Sequence, residues 1–171
     1  MNKAEVLKEI IGQRRSVFPK DYTDTEVSQE IIDEILHSAT LAPNHKRTKP
    51  WRFKVFKGEE KAKLASEMQA IYKATQPEQL FLEKKYNDIG FKINKADAVV
   101  SIVVNFSAMV PEWEEIAAVS MAVQNMYLTC TAHQVGCYWS SPKLVDRLQE
   151  SLTIEENQKC LGLFYLGNLQ E

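Results

Sequence analysis

From Glu112 to about His133 the chain places an apolar residue on almost every side of a helix: Ile116, Ala117, Ala118, Val119, Met121, Ala122, Val123, Met126 and Leu128. A helix without a wide polar face has to be covered most of the way round, either at the centre of a domain or against another subunit. The rest of the chain must supply that cover or recruit it. The stretch just before it helps. Ala98 to Asn105 reads Ala-Val-Val-Ser-Ile-Val-Val-Asn, a β-branched run typical of a strand buried on both faces.

Other elements follow from the same periodicities. Val6, Leu7, Ile10 and Ile11 fall at helical spacing between Lys3 and Gly12, and Pro19 prevents continuation. Thr23 with Glu26 matches a capping box, which predicts a helix carrying Val27, Ile31, Ile32, Ile35, Leu36 and Ala39 and running into Pro43. Trp51 to Lys57 alternates as a half-buried strand ended by Gly58. Glu59 to about Lys95 is charged and mainly helical, with breaks expected at Pro77 and Gly90, and is expected to wrap the core or cover a cleft. A short strand is expected from Gly136 to Trp139, and a buried one from Leu161 to Gly167. Between them Ser141 and Pro142 read as the N-cap and first residue of a helix to about Leu152. Strands mostly separated by helices point to a mixed sheet with helices on both faces.

No repeat, linker or low-complexity tract interrupts the 171 residues, so residues 1–171 are read as a single domain. A net charge of −2 gives no field favouring nucleic acid or an anionic membrane. The longest apolar run falls far short of a membrane span, and the start reads as an amphipathic helix rather than a signal peptide. Cys130, Cys137 and Cys160 show no CxxC spacing, which fits reduced thiols and a cytoplasmic location.

The chemistry-bearing residues narrow further. There is no GxGxxG or GxxxxGK[ST], so a phosphate would have to be held by side chains. His37, His45 and His133 are far apart without HExxH spacing, so no metal site is read. Arg14-Arg15-Ser16 offers two guanidinium forks and a hydroxyl at a helix end, which suits a dianion. The same pair also reads as a solvated surface pair, and His45 as an ordinary loop histidine. Leu41 to Phe53 joins a helix to a strand through a loop with a proline towards each end, carrying an amide, an imidazole and three cations. Trp139-Ser140-Ser141-Pro142 reads as a ligand-lining turn or as a strand end followed by a cap.

Taken in order, these pieces form a set. Arg14-Arg15-Ser16 follows the first helix, Ala42-Pro43-Asn44-His45 with Pro50-Trp51-Arg52-Phe53 follows the second, and Gly136-Cys137-Tyr138-Trp139-Ser140 follows the long apolar helix, before Leu163 to Asn168 closes the chain. Over nearly its whole length the sequence resembles the nitroreductase family of flavoproteins, especially short members with an APxHxxxxPWxF loop. The resemblance implies an α+β fold, an αβα sandwich with a mixed, mainly antiparallel central sheet flanked by helices. It also implies a homodimer with FMN at the interface, NAD(P)H as electron donor and a small-molecule acceptor such as a nitroaromatic or quinone. Carried onto this chain, Arg14, Arg15 and Ser16 would hold the phosphate and ribityl chain. Leu41 and His45 would approach the same flavin from the other subunit, and Trp139, Ser140 and Ser141 would line it. The long helix around Met121 to Leu128 would be the main dimer helix. No residue is assigned as a dedicated catalytic acid or base.

Three positions depart from that pattern. Leu41 stands where many relatives carry Arg, and Phe18 stands where longer relatives have a lysine near the flavin N1 and O2. The chain ends at Gln170-Glu171 without the terminal cation that longer relatives direct to the phosphate. Two rival readings therefore stay open: an FMN-binding or flavin-modifying protein without NAD(P)H turnover, and a cofactor-free α/β dimer.

Overall fold

The computed structural model describes residues 2–148 and 150–170. Helix α1, Lys3–Gln13, opens on a capping box in which Asn2 Oδ1 accepts from Glu5 N at 3.0 Å and Asn2 N donates to the Glu5 carboxylate at 2.9 Å. None of its residues is buried. Helix α2, Gln29–Thr40, starts later than the Thr23/Glu26 pattern predicts: Ser28 is its N-cap, accepting from Ile31 N at 3.3 Å. Thr23 is instead bound to the last strand, its N–H donating to Asn168 O at 2.8 Å. The competing long-range bond holds residues 23–27 as an irregular lead-in.

Strands β1 (Trp51–Phe56), β2 (Ala98–Asn105), β3 (Val135–Ser140) and β4 (Gln158–Asn168) form one sheet in the order β1-β2-β4-β3. The mixed, mainly antiparallel sheet expected from the sequence is antiparallel in each of its three pairings. The reason is topological. Helix α5, Glu112–Ala132, does make a crossover between two strands of like direction, β2 and β3, but β4 inserts between them and pairs antiparallel with both. Between β1 and β2 the chain makes two helices, α3 (Gly58–Thr75) and α4 (Glu83–Lys95), so it re-enters the sheet in the opposite direction.

Side chains alternate across each strand, so β2 serves two cores. Val100, Ile102 and Val104 pack with Ile32, Ile35 and Ala39 of α2 and with Ala118, Val119, Ala122, Val123 and Met126 of α5. Val99 and Val103 face Leu64, Ala65, Met68 and Ile93 of α3 and α4, together with Leu163 and Tyr165. Each such aliphatic side chain, taken fully out of water, contributes about 1.5–3 kcal/mol. The 59–95 excursion is thus one full layer of an αβα sandwich, rather than a wrap around a finished core. Gly90 does not break α4: a Cβ there would come within 2.6 Å of the Gln69 side chain, so the glycine permits close approach of α3 and α4.

After β3 the chain forms only a short 3-10 turn, Lys143–Arg147, with Pro142 before it and no side-chain cap, in place of the longer helix expected from Ser141. In β4 a register shift opposite Ile102 and Val103 coincides with Gly162 at φ +140°.

Candidate functional site

Helix α1 ends because Arg14 leaves helical geometry, at φ −56° and ψ 122°, and the chain continues extended. Val17 N donates to Cys137 O at 2.9 Å, which lays this segment along β3. Neighbouring side chains of an extended segment point opposite ways. Arg14 and Ser16 meet Tyr127 of α5, while Arg15 lines a neighbouring crevice with Gln13, Val17, Gln134 and Thr131, one turn further along that helix.

On the α5 side the meeting point is Tyr127. The Arg14 guanidinium lies over its ring, 5.5 Å from the centroid. Ser16 Oγ is 3.2 Å from its hydroxyl, and Trp139 N donates to the same oxygen at 2.9 Å. One buried phenol therefore joins the first and third of the sequence motifs. Its ring is fixed edge-on against Phe164 at 5.0 Å. Tyr127 escaped the sequence reading because it sits among apolar residues at core spacing. The available signal was its polar tip, which a buried helix has to satisfy.

Among the described residues Arg14 has no carboxylate or carbonyl acceptor for its half-buried guanidinium, whose contact is the Tyr127 face. A fork of five donors left in this state is a place for an anion. Ser16 and Ser141 are exposed, and Ser140 and Trp139 are half-buried at the end of β3. The indole N–H of Trp139 is buried without a partner, because the ring lies against the bulge of β4. A Cβ on Gly162 would stand 2.7 Å from that nitrogen and 2.3 Å from Ser140 O. On the opposite face of β3, Phe18 meets Tyr138 at 4.5 Å between ring centroids, and Tyr138 stacks on Tyr165 at 5.8 Å.

The second motif lies elsewhere. Leu41 caps the end of α2 and is 67% exposed. Beyond it, Lys46, Arg47 and Lys49 all adopt positive φ, at 52°, 55° and 46°, a conformation unusual for residues with a Cβ. Side-chain bonds hold it: Lys49 N donates to Asn44 Oδ1 at 2.9 Å, and Lys46 Nζ donates to Met109 O at 3.0 Å. His45 Nδ1 lies 2.6 Å from Glu114 Oε2, in the first turn of α5. Glu114 and Tyr127 are thirteen residues apart on one helix, roughly 20 Å at 1.5 Å per residue. Within one chain the structure brings Arg14, Ser16 and Trp139 together and keeps His45 at the other end of α5, while Leu41 lies between them, just beyond Ser38, whose O accepts from Asn125 Nδ2 at 2.9 Å.

The comparisons with known proteins bear on this arrangement. The model of the family described as "Nitroreductase family" matches residues 11–168. The chain belongs to the nitroreductase family. It is thereby an oxidoreductase by class, and the sandwich described above is the nitroreductase fold. YfhC of Bacillus subtilis (strain 168), named provisionally as an NAD(P)H nitroreductase, is 25% identical, the match covering 98% of this chain and 86% of YfhC. A crystal structure of a nitroreductase-like family protein from Bacillus cereus is 25% identical, with a TM-score of 0.78, over 96% of this chain and 86% of that one. A nitroreductase-type protein of Desulfovibrio desulfuricans, solved in complex with FMN, is 25% identical with a TM-score of 0.70, covering 100% of this chain and 88% of its own. No described helix of this family member is long and apolar enough to cross a membrane.

Proposed function

We infer that the chain is an FMN-dependent oxidoreductase that draws electrons from NAD(P)H and delivers them to a nitroaromatic, quinone or related small acceptor. The observation that carries this reading is half-buried Arg14, its guanidinium without an acceptor among the described residues and held beside Ser16 and Trp139 by Tyr127. The donor set fits FMN: a dianionic tail suits Arg14 and the exposed hydroxyl of Ser16, with Arg15 adding charge from the neighbouring crevice. FMN, when bound, supplies electron transfer between a nicotinamide and an acceptor. The protein's part is to bind, orient and screen. Arg14 and Ser16 anchor the charged tail, and Trp139, Ser140 and Ser141 flank the ring. Solvent delivers protons, since among the described residues no acid–base pair converges on Tyr127.

The functional unit in this reading is a homodimer. Trp113, Ile116 and Met121 of α5 are 67%, 36% and 41% exposed, and Val6, Leu7 and Ile11 of α1 are 37%, 53% and 51% exposed. Two copies packed through these faces, with their α5 helices running in opposite directions, bring Leu41 and His45 of one copy to the Tyr127 end of the other. One pocket then serves donor and acceptor in turn, which gives ping-pong kinetics.

The test is the absorbance of the purified protein before and after anaerobic NAD(P)H. A yellow protein that bleaches, and regains colour when a quinone is added, supports the reading; a colourless protein that takes up no added FMN overturns it. A second reading, FMN binding without turnover, draws on Phe18, which offers a ring to Tyr138 where a cation would favour reduced flavin. Bound FMN that NADH and NADPH both leave oxidised would select it.

A further inference from the structure

The Tyr127 hydroxyl has one proton and, among the described residues, two hydrogen-bonding neighbours. Trp139 N–H has to donate to it, at 2.9 Å, because an amide nitrogen cannot accept. The phenol proton then has Ser16 Oγ, at 3.2 Å, as its remaining neighbour. Were Ser16 to donate instead, a proton on a side chain only 8% exposed would be left unpaired, which costs more than the alternative orientation. The order is therefore Trp139 N–H to Tyr127 O–H to Ser16 Oγ, and it frees the Ser16 proton to point outward.

Resting on the FMN reading above, we propose that Tyr127 is a positioning residue that presents Ser16 as a polarised hydrogen-bond donor to a phosphate or ribityl oxygen of the cofactor. Each bond in such a chain strengthens the next, so the terminal hydroxyl is a better donor to an anion than an isolated serine. The same phenol sets the spacing between the Arg14–Ser16 segment and the end of β3, and its ring face carries the Arg14 guanidinium. The outward oxygen and the guanidinium consequently converge on the same ligand group. Neither the Trp139 amide nor Tyr127 touches that phosphate or ribityl group in this role; Ser16 and Arg14 do.

A double-mutant cycle on FMN binding decides it. The dissociation constant for FMN is measured by flavin fluorescence titration for the apo wild type, Tyr127→Phe, Ser16→Ala and the double variant, with the melting temperature of each apo form. Each single change is expected to weaken FMN about tenfold, the order of one charge-assisted hydrogen bond. The double variant is expected within about threefold of Ser16→Ala, because the phenol acts through the serine. Tyr127→Phe should lower the apo melting temperature less in the Ser16→Ala background, where the phenol has already lost its acceptor, and the drop that remains there measures the part the phenol plays through Trp139 N. Independent, multiplying losses, or an unchanged constant in Tyr127→Phe, overturn the relay while leaving FMN binding intact. A wild type that binds no FMN overturns the cofactor reading itself. Should Tyr127→Phe not fold, Ser16→Ala and Ser16→Thr carry the test: Ala loses about tenfold and Thr, keeping the hydroxyl, stays within about threefold. Equal constants for Ser16→Ala and wild type overturn the proposal.

Discussion

Arg14 is the residue on which the proposed chemistry presses hardest. It sits at the end of α1 with its charge over an aromatic face, 5.5 Å from the Tyr127 centroid. Cation–π contact alone is a modest restraint for a guanidinium with five donors. Arg14→Ala should therefore weaken FMN retention by about 1.5–3 kcal/mol, the range for a hydrogen bond to a charged group. Isothermal titration of the apo variant checks it, and unchanged retention removes Arg14 from the anion-binding role. Much of this residue-level picture was legible in the sequence, because two adjacent arginines and a serine after a helix are visible as text. Tyr127 was not. A phenol at core spacing looks like packing until the three-dimensional structure shows what its oxygen meets. The different neighbours of Arg14 and Arg15 were equally hidden, since they depend on how the segment after α1 lies along β3.

At the scale of elements, the bulge in β4 fixes the site's floor. Gly162 stands at φ +140°, where a side chain is strained, and a Cβ would also press against Ser140 O. Gly162→Ala should cost at least about 1–3 kcal/mol, the range for such a backbone region, and lower the melting temperature by roughly 2–10 °C. Because the Trp139 ring lies on the same spot, its fluorescence should shift with the melting curve; an alanine variant as stable as the wild type would refute this account. Element types were readable from periodicity, and five helices and four strands stand among the described residues close to their expected places. Errors came where a distant partner outcompeted a local signal. Thr23 gave up its cap for Asn168, so α2 begins at Gln29. Gly90 stayed helical because α3 packs against it, and the Ser141-Pro142 start stopped after one short turn.

For the whole molecule, the decisive quantity is the apolar surface left open on α1 and α5. Helix α1 buries none of its residues within the chain, although it carries apolar residues at regular spacing. Such a face needs a partner, and a copy of itself satisfies both helices at once. Met121→Glu should convert the proposed dimer to single chains in size-exclusion chromatography with light scattering, and FMN should be lost in the same fractions. A wild type that runs as one chain would remove the pairing. The sequence showed that α5 needed cover all round, and the sandwich supplies only part of it, from α2 and the sheet. Sheet order was beyond its reach, because β4 comes last in the chain yet separates β2 from β3.

The length of α5 between Glu114 and Tyr127 has one more effect on a paired molecule. In the proposed dimer each seat would be furnished half by one polypeptide and half by its mate, so damage to the His45 loop would harm the neighbour's seat and spare its owner's. Join a copy defective at Arg14 with a copy defective in that loop, and both faults land in a single seat. The remaining seat should then be whole, so that two crippled chains together make one that works, which mixing the two variants and measuring bound FMN would check.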